Sequence, residues 1–392
     1  MTRLSQSPQT TVEGVVRARY AAAAHARQES LCCPIDYDPG LLEALPAEVI
    51  ERDYGCGDPT RHVRPGEVVL DLGSGSGKAC FMAAQVVGPE GRVIGVDIED
   101  EMLALARRNA PVVAERIGYA NVEFRRGRIQ DLALDLDALD AWLAEHPVRS
   151  SADLPLLEAE TARLRREQPL VADDSVDLVI SNCVLNLVQS DAKTALFAEI
   201  FRVLRRGGRA VISDIVSDED VPLAMQQDPE LWSGCISGAL REDRFLQAFE
   251  DAGFYGVRVV AWGEQPWRTV QGIEFRSVTV EAFKGKQGPC IERKQAVIYK
   301  GPFREVLDDD GHRLRRGQRV AVCDKTFGIL TRPPYAEHFI AVPPHELPAI
   351  DDSPPFICGD GARLRHPRET KGEQFDLTTD AGPICGPGDG CC

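Results

Sequence analysis

The stretch VVLDLGSGSGKAC, residues 68–80, decides how this chain folds. A short apolar run leads into Gly73, Gly75 and Gly77, and a helix-forming segment, KACFMAAQVVG, comes directly after. Glycine lets a backbone come close to a ligand, and the free N–H groups of a helix N-terminus favour its polar atoms. A lone G-x-G-x-G is a weak signal. The next apolar run, RVIGVDI (92–98), strengthens it, because it ends on Asp97, where a carboxylate can accept hydrogen bonds from ribose hydroxyls. Asp71, just ahead of the glycines, can meet a cationic ammonium. A dinucleotide dehydrogenase would need G-x-G-x-x-G, and Lys78 stands where its last glycine belongs.

The same alternation extends outward. NVEFRRG (121–127), DLVISNCVL (177–185) and RAVISDIV (209–216) read as further strands. EDEMLALARRNA (99–110) and TALFAEIFRVLRRGG (194–208) read as helices between them. Near-continuous apolar strands alternating with helices predict a parallel sheet covered on both faces, an α/β Rossmann-like domain over residues 61–270. A charged stretch from about 132 to 172 interrupts the order and predicts an exposed helical insertion. Ahead of the sheet, VEGVVRARYAAAAHA (12–26) and GLLEALPAEVIERDY (40–54) predict a helical cap over residues 1–60. Between the two lies a loop carrying Cys32 and Cys33. Beyond residue 271, EFRSVTVEAF, KQAVIYKG, REVLDDDGHRLRRGQRVAVC and ILTRPP read as strands of a separate β-rich domain ending near 350. Residues 351–392, rich in Pro, Gly and charge and ending CGPGDGCC, read as a flexible tail.

The 392 residues carry 45 Lys and Arg against 61 Asp and Glu, a net charge of −16, which disfavours nucleic acid and anionic membrane surfaces as partners. No apolar stretch approaches the length of a membrane span, and the first residues show no signal-peptide core, so a cytoplasmic protein is expected. Twelve cysteines are then unusual. A disulfide framework does not suit a reducing compartment, and the chain contains no C-x₂-C pair of the kind that structural zinc sites use. Three motifs stand out instead: YGCG at Cys56, SNCVLNL at Cys183 and LWSGC at Cys235. Cys183 follows the fourth strand, at the sheet edge where α/β folds bind ligands. Cys56 leads into the first strand, and Cys235 lies about twenty residues past the fifth. All three can reach one crevice and hold a soft, thiophilic substrate.

The chain resembles the arsenite S-adenosylmethionine methyltransferases, members of the class I methyltransferases. The resemblance rests on DYGCG (53–57), LDLGSGSG (70–77), GVDI (95–98), SNCVLNL (181–187), RVLRRGGRAVISD (202–214) and LWSGCISGAL (231–240). It implies that Cys56, Cys183 and Cys235 are thiolates holding trivalent arsenic, with Tyr54 packed beside them. It also implies that Cys32 or Cys33 takes part in redox turnover. The cofactor-binding set is Asp71, Gly73, Ser74, Gly75, Gly77, Asp97, Ile98, Met102, Arg128, Ile129 and Asn182. The implied reaction is methylation of arsenite and methylarsenite for arsenic detoxification. S-adenosylmethionine is the donor, and an external thiol such as thioredoxin or glutathione is the reductant. Arsenic carries a lone pair and no proton to remove, so no general base is needed; orientation supplies most of the catalysis. The tail cysteines Cys385, Cys391 and Cys392 resemble those of the family. Cys80, Cys290, Cys323 and Cys358 are assigned to structure. Two other readings stay open: a methyltransferase for another thiophilic or small organic acceptor, and a non-catalytic metalloid-binding protein.

Overall fold

The computed structural model describes residues 12–25, 35–358 and 363–378, which fall into two compact units divided between Gly285 and Lys286. Cys32, Cys33, Cys385, Cys391 and Cys392 lie outside the described residues.

In the first unit, α1 (Val12–His25) is followed by the short helices α2 (Pro39–Leu42) and α3 (Ala47–Glu51). The single helix expected over 40–54 is broken at Pro46, which has no N–H to continue it. β1 (Val68–Leu72), α4 (Lys78–Val87), β2 (Arg92–Asp97), α5 (Asp100–Ile117) and β3 (Val122–Arg126) then alternate as the pattern predicts. Asp100 and Glu101 occupy the first turn of α5, where the helix dipole favours them, and left-handed Gly118 ends it. The charged insertion forms α6 (Leu136–Glu145), with no buried residue, and α7 (Leu154–Glu167), with only Leu164 buried. Its base is pinned where the Val171 N–H donates to the Leu132 carbonyl at 2.8 Å.

β4 (Val176–Asn182) and α8 (Lys193–Val203) lead to the long β5 (Leu204–Ser217). The helix expected to reach Gly208 stops at Val203, because Leu204 already pairs with Val176 of β4. Next come α9 (Leu223–Gln226), α10 (Pro229–Ser233), β6 (Leu240–Arg241), α11 (Glu242–Asp251), β7 (Tyr255–Trp262), β8 (Arg268–Val270) and β9 (Ile273–Phe283). The central path of the sheet runs β3-β2-β1-β4-β5-β9-β7. β1 to β5 pair in parallel, and β9 runs antiparallel between β5 and β7. The strand order turns back between β1 and β4, which opens the ligand crevice at their carboxyl ends. One buried cluster, with Leu70, Leu72, Phe197 and Phe249, and another, with Val69, Phe81, Met82 and Leu178, form the apolar core around this sheet.

β9 corrects the expected boundary at 270. EFRSVTVEAF is not part of a separate domain. Its pairing with β5 runs from Ser217↔Phe275 to Arg209↔Phe283, with Phe275, Val278, Val280 and Ala282 buried.

The second unit begins at Lys286 and holds β10 (Ala296–Tyr299), β11 (Glu305–Leu307), β12 (Arg313–Arg315), β13 (Arg319–Ala321), α12 (Asp324–Leu330), β14 (Phe339–Val342) and α13 (Pro367–Lys371). Its sheet is ordered β13-β10-β14, β11 and β12 form a hairpin, and Val297, Tyr299, Leu314 and Phe339 fill its core. ILTRPP is the end of α12 and the turn after it rather than a strand. Nor is the described part of the tail loose. Pro355 and Leu364 form β-bridges to Ile291 and Val320, and buried Arg365 pairs with Glu292 at 2.6 Å and Glu369 at 2.8 Å. Among the described residues no helix is long and apolar enough to cross a membrane.

Candidate active site

At the β1–β4 crevice lies a cavity of about 380 Å³. Ten residues of the expected cofactor set line it: Asp71, Gly73, Ser74, Gly75, Asp97, Ile98, Met102, Arg128, Ile129 and Asn182. Gly77 does not. It caps α4 at φ 86°, and a Cβ there would come within 2.7 Å of Phe124, so its role is close packing of helix on sheet. Gly73 takes φ 69°, and a side chain there would strike Val184 at 2.5 Å. Lys78, the residue that broke the dehydrogenase pattern, is buried, pairs with Asp53 at 3.2 Å and lies over the Tyr37 ring.

The polar atoms of this wall suit an adenosine-type ligand with a cationic end. Ser74 Oγ is buried without a hydrogen-bond partner among the described residues. Asp71 is 2 % exposed, and burial pushes its carboxyl up to about 7; it accepts from the Cys80 thiol at 3.2 Å. A buried carboxyl held this high is poised for an incoming ammonium. Asp97 accepts from the Gly75 N–H at 2.8 Å and the Glu99 N–H at 2.9 Å, so it also braces the glycine loop. Burial raises its carboxyl as well. α1 supplies Val16, Arg17 and Tyr20 to the same cavity, and Arg17 reaches Glu99 at 3.6 Å.

The three expected thiols converge beside this cavity. Cys56, Cys183 and Cys235 are buried in one cluster, and Cys183 interacts with both other thiols. Cys183 is flanked by two cavity-lining residues, Asn182 and Val184, and Cys56 is two residues past a third, Tyr54. The sulfurs of Cys56 and Cys183 and a carboxylate oxygen of Asp214 lie within 4.8 Å of one another. Cys183 and Cys235 both have φ 63°, the left-handed region that non-glycine residues avoid. Strain of this kind, on the order of 1–3 kcal/mol per residue, gathers at functional sites. It also ends β4 at Asn182, short of the residue 185 that the apolar run suggested.

The surroundings hold these backbones in place. Asn182 Oδ1 accepts from the N–H groups of Cys56 (2.9 Å) and Gly57 (3.1 Å), and its Nδ2 donates to the Gly57 carbonyl at 2.7 Å. The Asn182 amide therefore fastens the Cys56 loop as well as lining the cavity. Ser277, on β9, donates to the Cys56 carbonyl. Asn186, 1 % exposed, donates to the carbonyls of Ile215 (2.6 Å) and Cys235 (3.3 Å). Contact with Cys183, then burial, holds the Cys235 thiol well above its ordinary range. The Cys183 thiol also ends high: contact with Cys235 lowers it, but Cys56 and burial outweigh that. Burial likewise lifts Asp214 to about 6 and drops nearby Lys193 to about 8.

Tyr54 lines the cavity, donates to the Ala23 carbonyl at 3.2 Å and meets the Tyr20 ring edge-on. Sequence reasoning missed Tyr20, whose hydroxyl interacts with Cys235, and Asn186, Asp214 and Ser277. Tyr20 sits on a helix remote in sequence. The Asn186 and Asp214 positions lay inside the quoted motifs, but nothing in their spacing marked them as supports.

Comparison with known proteins identifies the family. A family described as a methyltransferase domain matches residues 64–170 and 158–253, and a domain of unknown function (DUF8838) matches 286–375. An arsenite methyltransferase from Aquipseudomonas alcaligenes is 34% identical over 328 residues, covering 79% of this chain and 84% of that protein. The arsenite methyltransferase of Homo sapiens is 28% identical over 315 residues, covering 77% and 74%. The crystal structure of an arsenic (III) S-adenosylmethionine methyltransferase from Chlamydomonas reinhardtii superposes with a TM-score of 0.53 at 27% identity, covering 82% of this chain and all of that one. With a relative of this identity covered over most of its length, the chain belongs to the arsenite methyltransferase family.

Proposed function

We propose that this protein methylates trivalent arsenic held by Cys56, Cys183 and Cys235, with S-adenosylmethionine bound in the adjoining cavity. The observation that carries this reading is the convergence of three buried thiols, two on left-handed backbones, beside a cavity walled by Asp71, Ser74 and Asp97. Asp71 would hold the cofactor's ammonium, Ser74 and the glycine loop its polar atoms, and Asp97 its ribose. When bound, the cofactor supplies an electrophilic methyl group on a positively charged sulfur.

The chain's own contribution is substrate presentation. Arsenous acid exchanges three hydroxyls for three sulfurs, and the thiol protons leave in three waters. Arsenic is then pyramidal, with its lone pair on the face opposite the sulfurs. High thiols make this exchange preferable to charged thiolates in a buried pocket, since the trithiolate adduct is neutral. Asn182 and Ser277 hold the Cys56 backbone, Asn186 holds that of Cys235, and the Ser213 carbonyl takes the Cys183 N–H at 2.8 Å, so that the lone pair keeps one direction; positioning of this kind can supply several kcal/mol of barrier lowering. Taking up the methyl group oxidises arsenic to the pentavalent state. Two thiols, with Cys32 or Cys33 as one of them, return it to trivalent by closing a disulfide, which an external thiol such as thioredoxin or glutathione then opens.

The test is an anaerobic reaction with arsenite, S-adenosylmethionine and a thiol reductant, with arsenic species separated by chromatography and detected elementally. Methylated arsenic that requires all three components is expected. Cofactor binding without any methylated arsenic would overturn the reading.

A further inference from the structure

The second unit carries a thiol cluster that the methyl-transfer site does not use. Cys290, Cys323 and Cys358 come from three separate segments, yet their sulfurs all lie within 4.8 Å of one another. Backbone hydrogen bonds hold the three segments together. The Phe356 N–H donates to the Cys290 carbonyl at 2.8 Å, and the Glu292 N–H to the Pro354 carbonyl at 2.9 Å. The Asp324 N–H, beside Cys323, donates to the Ile291 carbonyl at 2.9 Å, and Arg293 ties to the Asp324 carboxylate at 3.0 Å. Cys323 itself caps α12, with Sγ accepting from the Thr326 N–H at 3.4 Å. A packing role explains one buried cysteine here. It does not explain three sulfurs on one spot, one of them half-buried and one exposed.

We propose that Cys290, Cys323 and Cys358 form a second three-thiolate site, outside the catalytic trio, that captures a trivalent thiophilic metalloid delivered as arsenous acid. Three arguments select that ligand class. The group offers three sulfurs, and no fourth Cys, His, Asp or Glu joins it among the described residues, whereas structural zinc takes four protein ligands. The Lys325 ammonium acts directly on the Cys290 sulfur; it repels an incoming dication, but not a neutral hydroxide that becomes a neutral trithiolate. The exposed Cys358 leaves the cluster open to entry.

Contacts with Cys358 and Cys323 and the nearby ammonium outweigh burial and bring the Cys290 thiol below its ordinary range. Capture breaks three As–O bonds and forms three As–S bonds. Three hydroxyls leave as water with three protons, and no electron moves. The site does not depend on the catalytic reading: it would bind arsenite in a chain that methylates nothing.

The experiment uses the full chain, reduced with a phosphine, loaded with excess sodium arsenite under argon and desalted. Arsenic per chain is counted by elemental mass spectrometry, beside the C290S/C358S double variant. The expected result is one arsenic fewer per chain in the variant, with arsenic-edge absorption of the loaded wild type showing sulfur-only coordination. Both substitutions lie at the open side of the cluster, and C323S, which retains a capping oxygen on α12, is the second variant should the first fail to fold. An arsenic count unchanged in these variants overturns the proposal. So does stoichiometric zinc at the three cysteines that arsenite fails to displace.

Discussion

The first unit buries Cys56, Cys183 and Cys235 and puts two of them at φ 63°, while in the second unit Cys323 keeps an ordinary helix-cap φ of −70° and Cys358 is exposed. Around the first trio, side-chain amides and a hydroxyl are spent on backbone groups: Asn182 on Cys56, Asn186 on Cys235, Ser277 on Cys56. Around the second, a lysine ammonium acts on one thiol. The two arrangements suit different tasks. Burial and backbone strain keep a substrate in one orientation and slow its entry. An open cluster with one thiol eased toward its anion favours fast capture and fixes little.

This contrast is open to direct attack. Cys183→Ala should do the most damage. Losing the middle sulfur leaves arsenic two-coordinate and free to turn, and arsenite methylation measured by product chromatography should fall at least ~100-fold. Next, iodoacetamide at pH 7 followed by peptide mass mapping should label Cys290 at least ~10-fold faster than Cys56, Cys183 or Cys235, since the thiolate is the nucleophile and Cys290 is eased downward while Cys183 and Cys235 are raised. Equal labelling would dissolve the distinction between the two clusters.

Asp71→Asn should weaken S-adenosylmethionine binding about 10–100-fold by calorimetry, through loss of a charged partner for the ammonium. The same change should stabilise the ligand-free protein. Burial moves this carboxyl from 3.8 to about 7, so the folded chain holds a proton that the unfolded chain has released. Stability from this group is therefore full below the lower value and falls as pH rises through that window. Thermal melts should show the variant gaining on wild type between those limits, by up to about 2–4 kcal/mol. A difference resting on strain alone should be the most modest. Cys183→Gly should be more stable than Cys183→Ala by about 1 kcal/mol, because glycine accepts φ 63° freely.

Much of the first unit was legible because its information is local. Apolar runs punctuated by glycine mark β1 to β5, and the strand–glycine–helix turn at 68–80 fixes where the crevice opens. The three cysteines of the candidate site were legible because each sits in a distinctive motif, although only Cys183 directly follows a strand. What stayed hidden is non-local. Nothing in EFRSVTVEAF says that it inserts between two strands already passed, since its pairing is decided by β5 and β7 rather than by its own pattern. Left-handed backbones at Cys183 and Cys235 leave no mark in the sequence, since cysteine is not a residue type that favours that region. Cys290, Cys323 and Cys358 fall in three segments with no short-range spacing to link them, and only the fold of the second unit lifts them out of a purely structural role. Cys32 and Cys33, which the resemblance ties to redox turnover, lie outside the described residues.

Since β9 comes last in its sheet, the protein is born with a gap. A chain emerging from the ribosome exposes β1 to β5 and β7 well before Phe283, yet in the sheet it is this final strand that lies between β5 and β7. Domains generally fold as units during synthesis. Until β9 slots in, the nascent sheet has an open seam, and the Cys56 carbonyl waits for Ser277. The Cys56 loop thus gains its Ser277 support only once the last strand of the sheet is in place.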